Sequence, residues 1–186
     1  GDLTSTFYGG DRTDGLIVAA ERTPADAGTL WAATNKGRLF ISKNADGAAA
    51  GVTFTRIDTG ATPGRFVTRI FASRTDPNVA FVSYSGFNAL TPTTPGHIFR
   101  VVYNPATGSA TFTSMDRDLG DLPVNTIAFD DVTGDLFAAT DFAPLVLAGI
   151  TNDLNAWALG ALAFVALSLI ASGTYILNDL LDLQDD

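Results

Sequence analysis

The sequence predicts a mainly β protein that ends in one long α-helix. Three observations predict it. Residues 1–141 consist of short runs rich in Val, Ile, Phe and Thr, set between Gly and Pro punctuation such as Pro63-Gly64, Pro95-Gly96, Thr107-Gly108 and Thr133-Gly134. That is the composition of strands and turns, and no window there carries a 3.6-residue apolar stripe. The runs also repeat along the chain. Finally, Ala156 to Leu177 is a stretch of 22 residues without a charge.

The repeat sets the strand order. Ile17-Val18-Ala19-Ala20 leads to Trp31-Ala32-Ala33-Thr34, Ile70-Phe71-Ala72-Ser73 to Phe81-Val82-Ser83-Tyr84, and Ile127-Ala128-Phe129 to Phe137-Ala138-Ala139-Thr140, with the aromatic residues 50 and 56 positions apart. Gly37-Arg38-Leu39-Phe40-Ile41-Ser42 then matches Gly96-His97-Ile98-Phe99-Arg100-Val101, and Thr53-Phe54-Thr55 matches Thr111-Phe112-Thr113. Asn44-Ala45-Asp46-Gly47 and Asn104-Pro105-Ala106-Thr107-Gly108 are the turns before the fourth strands. Each unit thus offers four short strands in about 50 to 58 residues, the arithmetic of a β-propeller blade. The predicted fold class is mainly β: an incomplete β-propeller of two to three four-stranded blades, followed by one C-terminal transmembrane helix. Residues 1–141 hold the repeats, 142–154 a linker or the end of the third blade, and 155–186 the helix with an acidic extension. A closed propeller needs at least four blades. Three readings follow: the chain is a fragment, another molecule completes the ring, or the sheets pack differently. An open array leaves a sheet edge that invites a protein partner.

The repeat resembles the Asp-box propellers of sialidases, sortilin and xyloglucan-hydrolysing glycosidases. Their box, Ser-x-Asp-x-Gly-x-Thr-Trp, is matched in degenerate form by Ser42-Lys43-Asn44-Ala45-Asp46-Gly47 and by Asn104 to Phe112, with Phe54 and Phe112 in place of Trp. Thr62-Pro63-Gly64-Arg65-Phe66-Val67 and Asp76-Pro77-Asn78-Val79 are similar to phrases of the same group. The resemblance implies a fold, because the box is a turn-and-packing device.

Charge narrows the function. The chain carries 11 basic and 20 acidic residues, a net of −9, and no cysteine. This excludes a phosphate-backbone binder, a disulfide scaffold and a thiolate metal site. Glycoside hydrolysis needs two paired carboxylates, one of them protonated. Asp11, Asp14, Asp58, Asp116, Asp118, Asp121, Asp130 and Asp131 are loop acids with no spacing that pairs them, and read as solvated turn residues. Asp130, Asp131 and Asp135 lack the twelve-residue calcium-loop pattern and also read as turn chemistry. His97, the single histidine, reads as a strand residue rather than a base or ligand. Trp31, Tyr84, Phe87 and Tyr103 are a candidate stacking platform, with core packing the commoner use of such aromatics. The loop Ser85 to Pro95 is the longest polar insertion and the preferred binding surface.

The C-terminal region differs in kind. Every Lys and Arg lies at or before Arg117, and Phe142 to Asp186 holds five acids and no base. As a helix, Ala156 to Leu177 spans about 33 Å, enough to cross a bilayer core. Trp157 and Tyr175 stand near its ends as interface aromatics, and Thr151-Asn152-Asp153 supplies an N-cap. Asp179, Asp182 and Asp186 follow on one helical face. The pattern Asn-Asp-x-x-Asp-x-x-x-Asp resembles the first aspartate-rich motif of the UbiA superfamily of intramembrane prenyltransferases. Leu167 to Leu177 and Phe142 to Gly149 are similar to flanking helices of that family. The resemblance implies Mg²⁺ held by Asp179, Asp182 and Asp186, with Asn178 toward an isoprenoid diphosphate or phosphoribosyl donor. The family's second such motif is missing, so catalysis by this chain alone is not expected. Thr140-Asp141-Phe142-Ala143-Pro144-Leu145-Val146-Leu147 also reads as a strand continuing the third unit.

The resulting expectation is a non-catalytic binding or structural module, extracytoplasmic, tethered by a single-pass helix as an accessory subunit of a membrane complex. It needs no cofactor and binds no nucleic acid. The alternatives are a fragment of a Mg-dependent prenyl- or phosphoribosyl-transferase and a fragment of a secreted glycoside hydrolase.

Overall fold

The hairpins close where the sequence places small polar residues. At 104–108 the Asn104 carboxamide accepts the Ala106 N–H at 3.0 Å, the Asn104 carbonyl accepts the Gly108 N–H at 2.9 Å, and Gly108 takes φ +67°. That left-handed backbone costs little only without a β-carbon. Asp130 builds the next hairpin by accepting the Val132 N–H at 2.8 Å. The computed structural model describes residues 2–140 except 59 and 61, the backbone of Pro144–Val146, and Leu162 and Val165. The chain divides into two units, Gly1–Ala148 and Gly149–Asp186.

Among the described residues the first unit holds eleven strands in three antiparallel sheets. The first sheet is β1 (Ile17–Arg22), β2 (Leu30–Thr34), β3 (Leu39–Ser42) and β4 (Thr55–Arg56). The second is β5 (Val67–Ala72), β6 (Val79–Tyr84), β7 (Ile98–Asn104) and β8 (Ser109–Ser114). The third is β9 (Val124–Asp130), β10 (Asp135–Thr140) and β11 (Pro144–Val146). Each is a meander in chain order. Of the stretch 140–147 read as a continuing strand, residues 144–146 form β11, paired to β10 with Ala139 opposite Pro144.

Side-chain alternation stacks the sheets. Trp31, Leu39 and Ile41 leave the first sheet toward the second, where Ile70, Val82, Val101 and Tyr103 meet them. Phe81 and Ile98 leave the other face of the second sheet toward Ile127, Leu136 and Ala138 of the third. Phe81 stacks on Phe129 with ring centroids 4.5 Å apart. The first strands form the seams, β1 against β5 and β5 against β9. The Thr68 hydroxyl crosses the second seam to the Val124 carbonyl at 2.8 Å. The repeat aromatics Trp31 and Phe81 each point to the next sheet. Phe137, on the face of the third sheet turned away from the second, is 39% exposed.

Among the described residues no strand packs on the rear face of the first sheet. The N-terminal residues take that place: Leu3 and Tyr8 pack on Ala32 and Phe40, and Tyr8 meets the Phe40 ring edge-on at 5.0 Å. Arg38 fastens them. Its guanidinium is fully buried and donates to the carbonyls of Leu3 at 3.0 Å, Ser5 at 2.8 Å, Gly9 at 2.7 Å and Asp11 at 3.0 Å. Gly37 makes the approach possible. It sits at φ +82°, and a β-carbon there would come within 2.3 Å of the Pro63 carbonyl.

In the second unit, Leu162 and Val165 are helical and exposed. The rest of the segment read as a membrane span lies outside the described residues. Among the described residues no helix is long and apolar enough to cross a membrane.

Arg38→Met keeps the apolar stem and removes every donor, leaving four carbonyls without their cationic partner. Unfolding free energy in urea falls by about 2–4 kcal/mol, and limited proteolysis cuts first within residues 2–14. A variant with unchanged stability and an uncut N-terminus contradicts the clamp.

Candidate functional site

A second buried guanidinium holds the loop Ser85–Pro95. Arg65 precedes β5 and donates to the carbonyls of Gly86, at 3.1 Å, and Gly96. Those carbonyls stand at the two ends of the loop, so one side chain fixes its base. Within the loop, Asn88 opens a short 3-10 turn, Asn88–Leu90, and its carboxamide accepts the Gly96 N–H at 2.8 Å. Asp121, in the connection from β8 to β9, latches the loop from outside. Its Oδ1 accepts the Asn88 N–H at 2.7 Å and lies 3.0 Å from His97 Nε2.

The loop and the start of β5 enclose an open depression of about 290 Å³ lined by Gly64, Arg65, Phe66, Ser85, Gly86, Leu90 and Thr91. Arg65 supplies charge at its wall and Ser85 and Thr91 supply hydroxyls. Apolar side chains stand around it: Phe66 and Phe87 are each 46% exposed and Leu90 is 71% exposed. Burial draws the Arg65 guanidinium below the ordinary arginine value, against the opposing pull of Asp121 and Asp116. The Asn88 N–H, then His97, hold Asp121 below the ordinary carboxylate range. Burial pushes the Tyr84 phenol up. Among the described residues, Trp31 Nε1, Arg65 Nε, Tyr84 Oη and His97 Nδ1 are buried without a hydrogen-bond partner.

The aromatic platform divides. Trp31, Tyr84 and Tyr103 are core residues, and Phe87 alone of the four is exposed. His97 lies one residue before β7 and is wholly buried. Its partner is an aspartate across the loop base.

Two of the acids depart from the reading of solvated turns. Asp58 follows β4, its side chain is 1% exposed, and it accepts the Leu39 N–H at 3.0 Å and Arg56 Nε at 2.8 Å. Asp116 follows β8 and accepts the N–H groups of Ile98 at 2.7 Å and His97 at 3.0 Å. Leu39 and Ile98 are repeat equivalents, so one carboxylate per unit caps the start of the third strand. The Gly37-Arg38 and Gly96-His97 match held the signal for this pairing. Asp130 and Asp131 are turn residues, Asp130 capping Val132 and Asp131 lying 3.9 Å from Arg74. Among the described residues no cluster of three or more His, Asp or Glu is arranged to hold a metal. Asn178, Asp179, Asp182 and Asp186 lie outside the described residues.

Asp11 and Asp58 come together at Arg56, whose Nη2 is 2.6 Å and 2.7 Å from them. The guanidinium thus bridges the two carboxylates. The Arg56 hydrogen bond lowers the Asp11 carboxyl to about 2. A hydrolytic pair needs the reverse, one carboxyl pushed up.

Two outcomes follow. Arg65→Met speeds amide hydrogen exchange across residues 85–97 by at least about tenfold, with β1–β4 unchanged; uniform exchange contradicts the clamp. Asp11, depressed in the folded state, stabilises above its unfolded value near about 4, and this is lost as pH falls toward about 2. The stability difference between wild type and Asp11→Asn therefore shrinks over that window. It stays below about 1 kcal/mol, because the Asp11 carboxylate is largely exposed and screened. A difference that is constant with pH contradicts the pairing.

Comparison with known protein families and with curated proteins gives no match.

Proposed function

We propose that residues 1–141 form a propeller-type, non-catalytic binding module, and that the uncharged segment 156–177 tethers it to a membrane as an accessory part of a larger complex. One observation carries the module reading. The first strand of every sheet slips register at the same place: Ile17 faces Thr34 but Ala19 faces Ala33, Val67 faces Tyr84 but Arg69 faces Ser83, and Val124 faces Thr140 but Thr126 faces Ala139. A bulge is a defined feature that bends and twists a strand. Three meanders that share one bulge and stack through their first strands are related as blades are.

The binding surface is the loop Ser85–Pro95. A latched loop on a rigid sheet, with an apolar rim and a guanidinium in its wall, suits recognition. The carboxylates support the non-catalytic part, since Asp11, Asp26 and Asp121 are all held below their ordinary range by donors. The tether rests on the 22 uncharged residues and on Trp157 and Tyr175 near their ends.

Membranes from cells expressing the full chain test the tether. Alkaline carbonate leaves the protein in the pellet and detergent releases it; release by carbonate alone overturns the tether. The same protein liberates no reducing ends from xyloglucan or other β-glucans. Hydrolysis that disappears in Asp11→Asn overturns the non-catalytic reading.

A further inference from the structure

The outer edge strands of the three sheets are guarded differently. β4 is two residues long and ends in Arg56, and β11 begins with Pro144. Short length, charge and Pro are the usual protections of a sheet edge. β8 has none of them. Its sequence, Ser-Ala-Thr-Phe-Thr-Ser, runs six residues and pairs with β7 without a bulge. No strand pairs with its other side among the described residues. Met115 donates its N–H to the Ile98 carbonyl at 2.9 Å, which sets the parity of the ladder. The N–H and C=O groups of Ser109, Thr111 and Thr113 face β7, and those of Ala110, Phe112 and Ser114 face outward.

We propose that β8 is a self-association edge, pairing antiparallel with β8 of a second copy about a two-fold axis through Phe112 to make one continuous sheet. The strand itself selects this occupant. Read outward from Phe112 it is nearly the same in both directions, Thr111 and Thr113 first, then Ala110 and Ser114. With Phe112 opposite its own copy, Ala110 meets Ser114 and every outward-facing residue enters a hydrogen-bonded pair. Thr111 then meets Thr113, a favourable cross-strand pair. No carboxylate lands opposite another, because Asp116 falls opposite Gly108 and Arg117 opposite Thr107. Shifting the register by two residues in either direction keeps the parity but loses this match. The exposed side chains of the strand are hydroxyl-bearing, while Ala110 and Phe112 are half-buried and Phe112 packs toward Phe99. Closed two-fold dimers are the commonest homo-oligomers. The net charge of −9 opposes approach of two copies at long range, so added salt strengthens the pairing.

Sedimentation equilibrium of the full chain in a mild detergent, from low to several hundred micromolar, shows a monomer–dimer equilibrium that shifts toward dimer with salt. Ala110→Pro removes an outward N–H and no β7–β8 bond. It weakens association at least about tenfold with an unchanged circular dichroism spectrum. The chain has no cysteine, so the register can be read by cross-linking. Thr111→Cys mixed with Thr113→Cys oxidises to a disulfide-linked dimer, and either variant alone does so far more slowly. A chain that stays monomeric at every concentration, a dimer untouched by Ala110→Pro, or equal cross-linking in the mixed and single samples overturns the proposal.

Discussion

The structure depends on one constraint: a sheet that is apolar on both faces must be covered on both. The second sheet meets it with neighbours of its own kind. All six residues of β6 are buried, the alternate side chains going to the first and third sheets. No antiparallel sheet with one wet face reads this way. The first sheet meets the constraint differently. Its forward face packs on the second sheet, and its rear face, with Ala32 and Phe40, is covered by Leu3 and Tyr8. The N-terminal residues thus stand where a preceding sheet would, and Tyr8 does for Phe40 what the first sheet does for Phe99.

A strand brings its own backbone hydrogen bonds to such a position, and an irregular segment does not. This is why buried guanidiniums recur. Arg38 gathers the carbonyls of Leu3, Ser5, Gly9 and Asp11 that no ladder would satisfy. Arg56 adds the Tyr8 carbonyl at 2.9 Å and the Asp11 carboxylate. An unpaired buried carbonyl is costly, and a planar group with five donors meets several at once. The acidic loops complete the arrangement. Asp58 gives Arg12 and Arg56 a counter-charge while capping Leu39.

Much of the sheet architecture was legible in the sequence. The paired runs at 17–20 and 31–34, 70–73 and 81–84, and 127–129 and 137–140 are the first two strands of successive sheets. Val, Ile and Phe between Gly and Pro made them visible. The fourth strand of the first sheet is shorter than Thr53-Phe54-Thr55 suggested, starting only at Thr55, because Asn44 takes the Thr53 N–H at 3.0 Å into its turn. The bulges were not legible, since a one-residue slip leaves composition unchanged. Nor were the clamps. A charged residue at the edge of a strand pattern reads as solvent-facing, and nothing local says that Arg38 and Arg65 turn inward to collect carbonyls from distant loops. The loop Ser85–Pro95 was legible as an insertion, while its apolar rim depends on Phe66 from the preceding connection.

The two clamps also differ. Arg38 uses Nε, Nη1 and Nη2, so its chemistry is accounted for by the segment it holds. Arg65 does the same work at the base of its loop with Nη1 and Nη2 alone, and its Nε is left without a partner. Tyr84 and His97, cross-strand neighbours joined by the Tyr84 N–H to His97 carbonyl bond at 2.7 Å, each leave a buried polar atom unmatched as well. Native structures keep few such groups, and each has a cost. Trp31 Nε1, in the core between the first two sheets, is another, so such groups are not confined to the loop base. What marks the proposed binding surface is instead the exposed apolar rim of Phe66, Phe87 and Leu90 beside the loop that Arg65 holds.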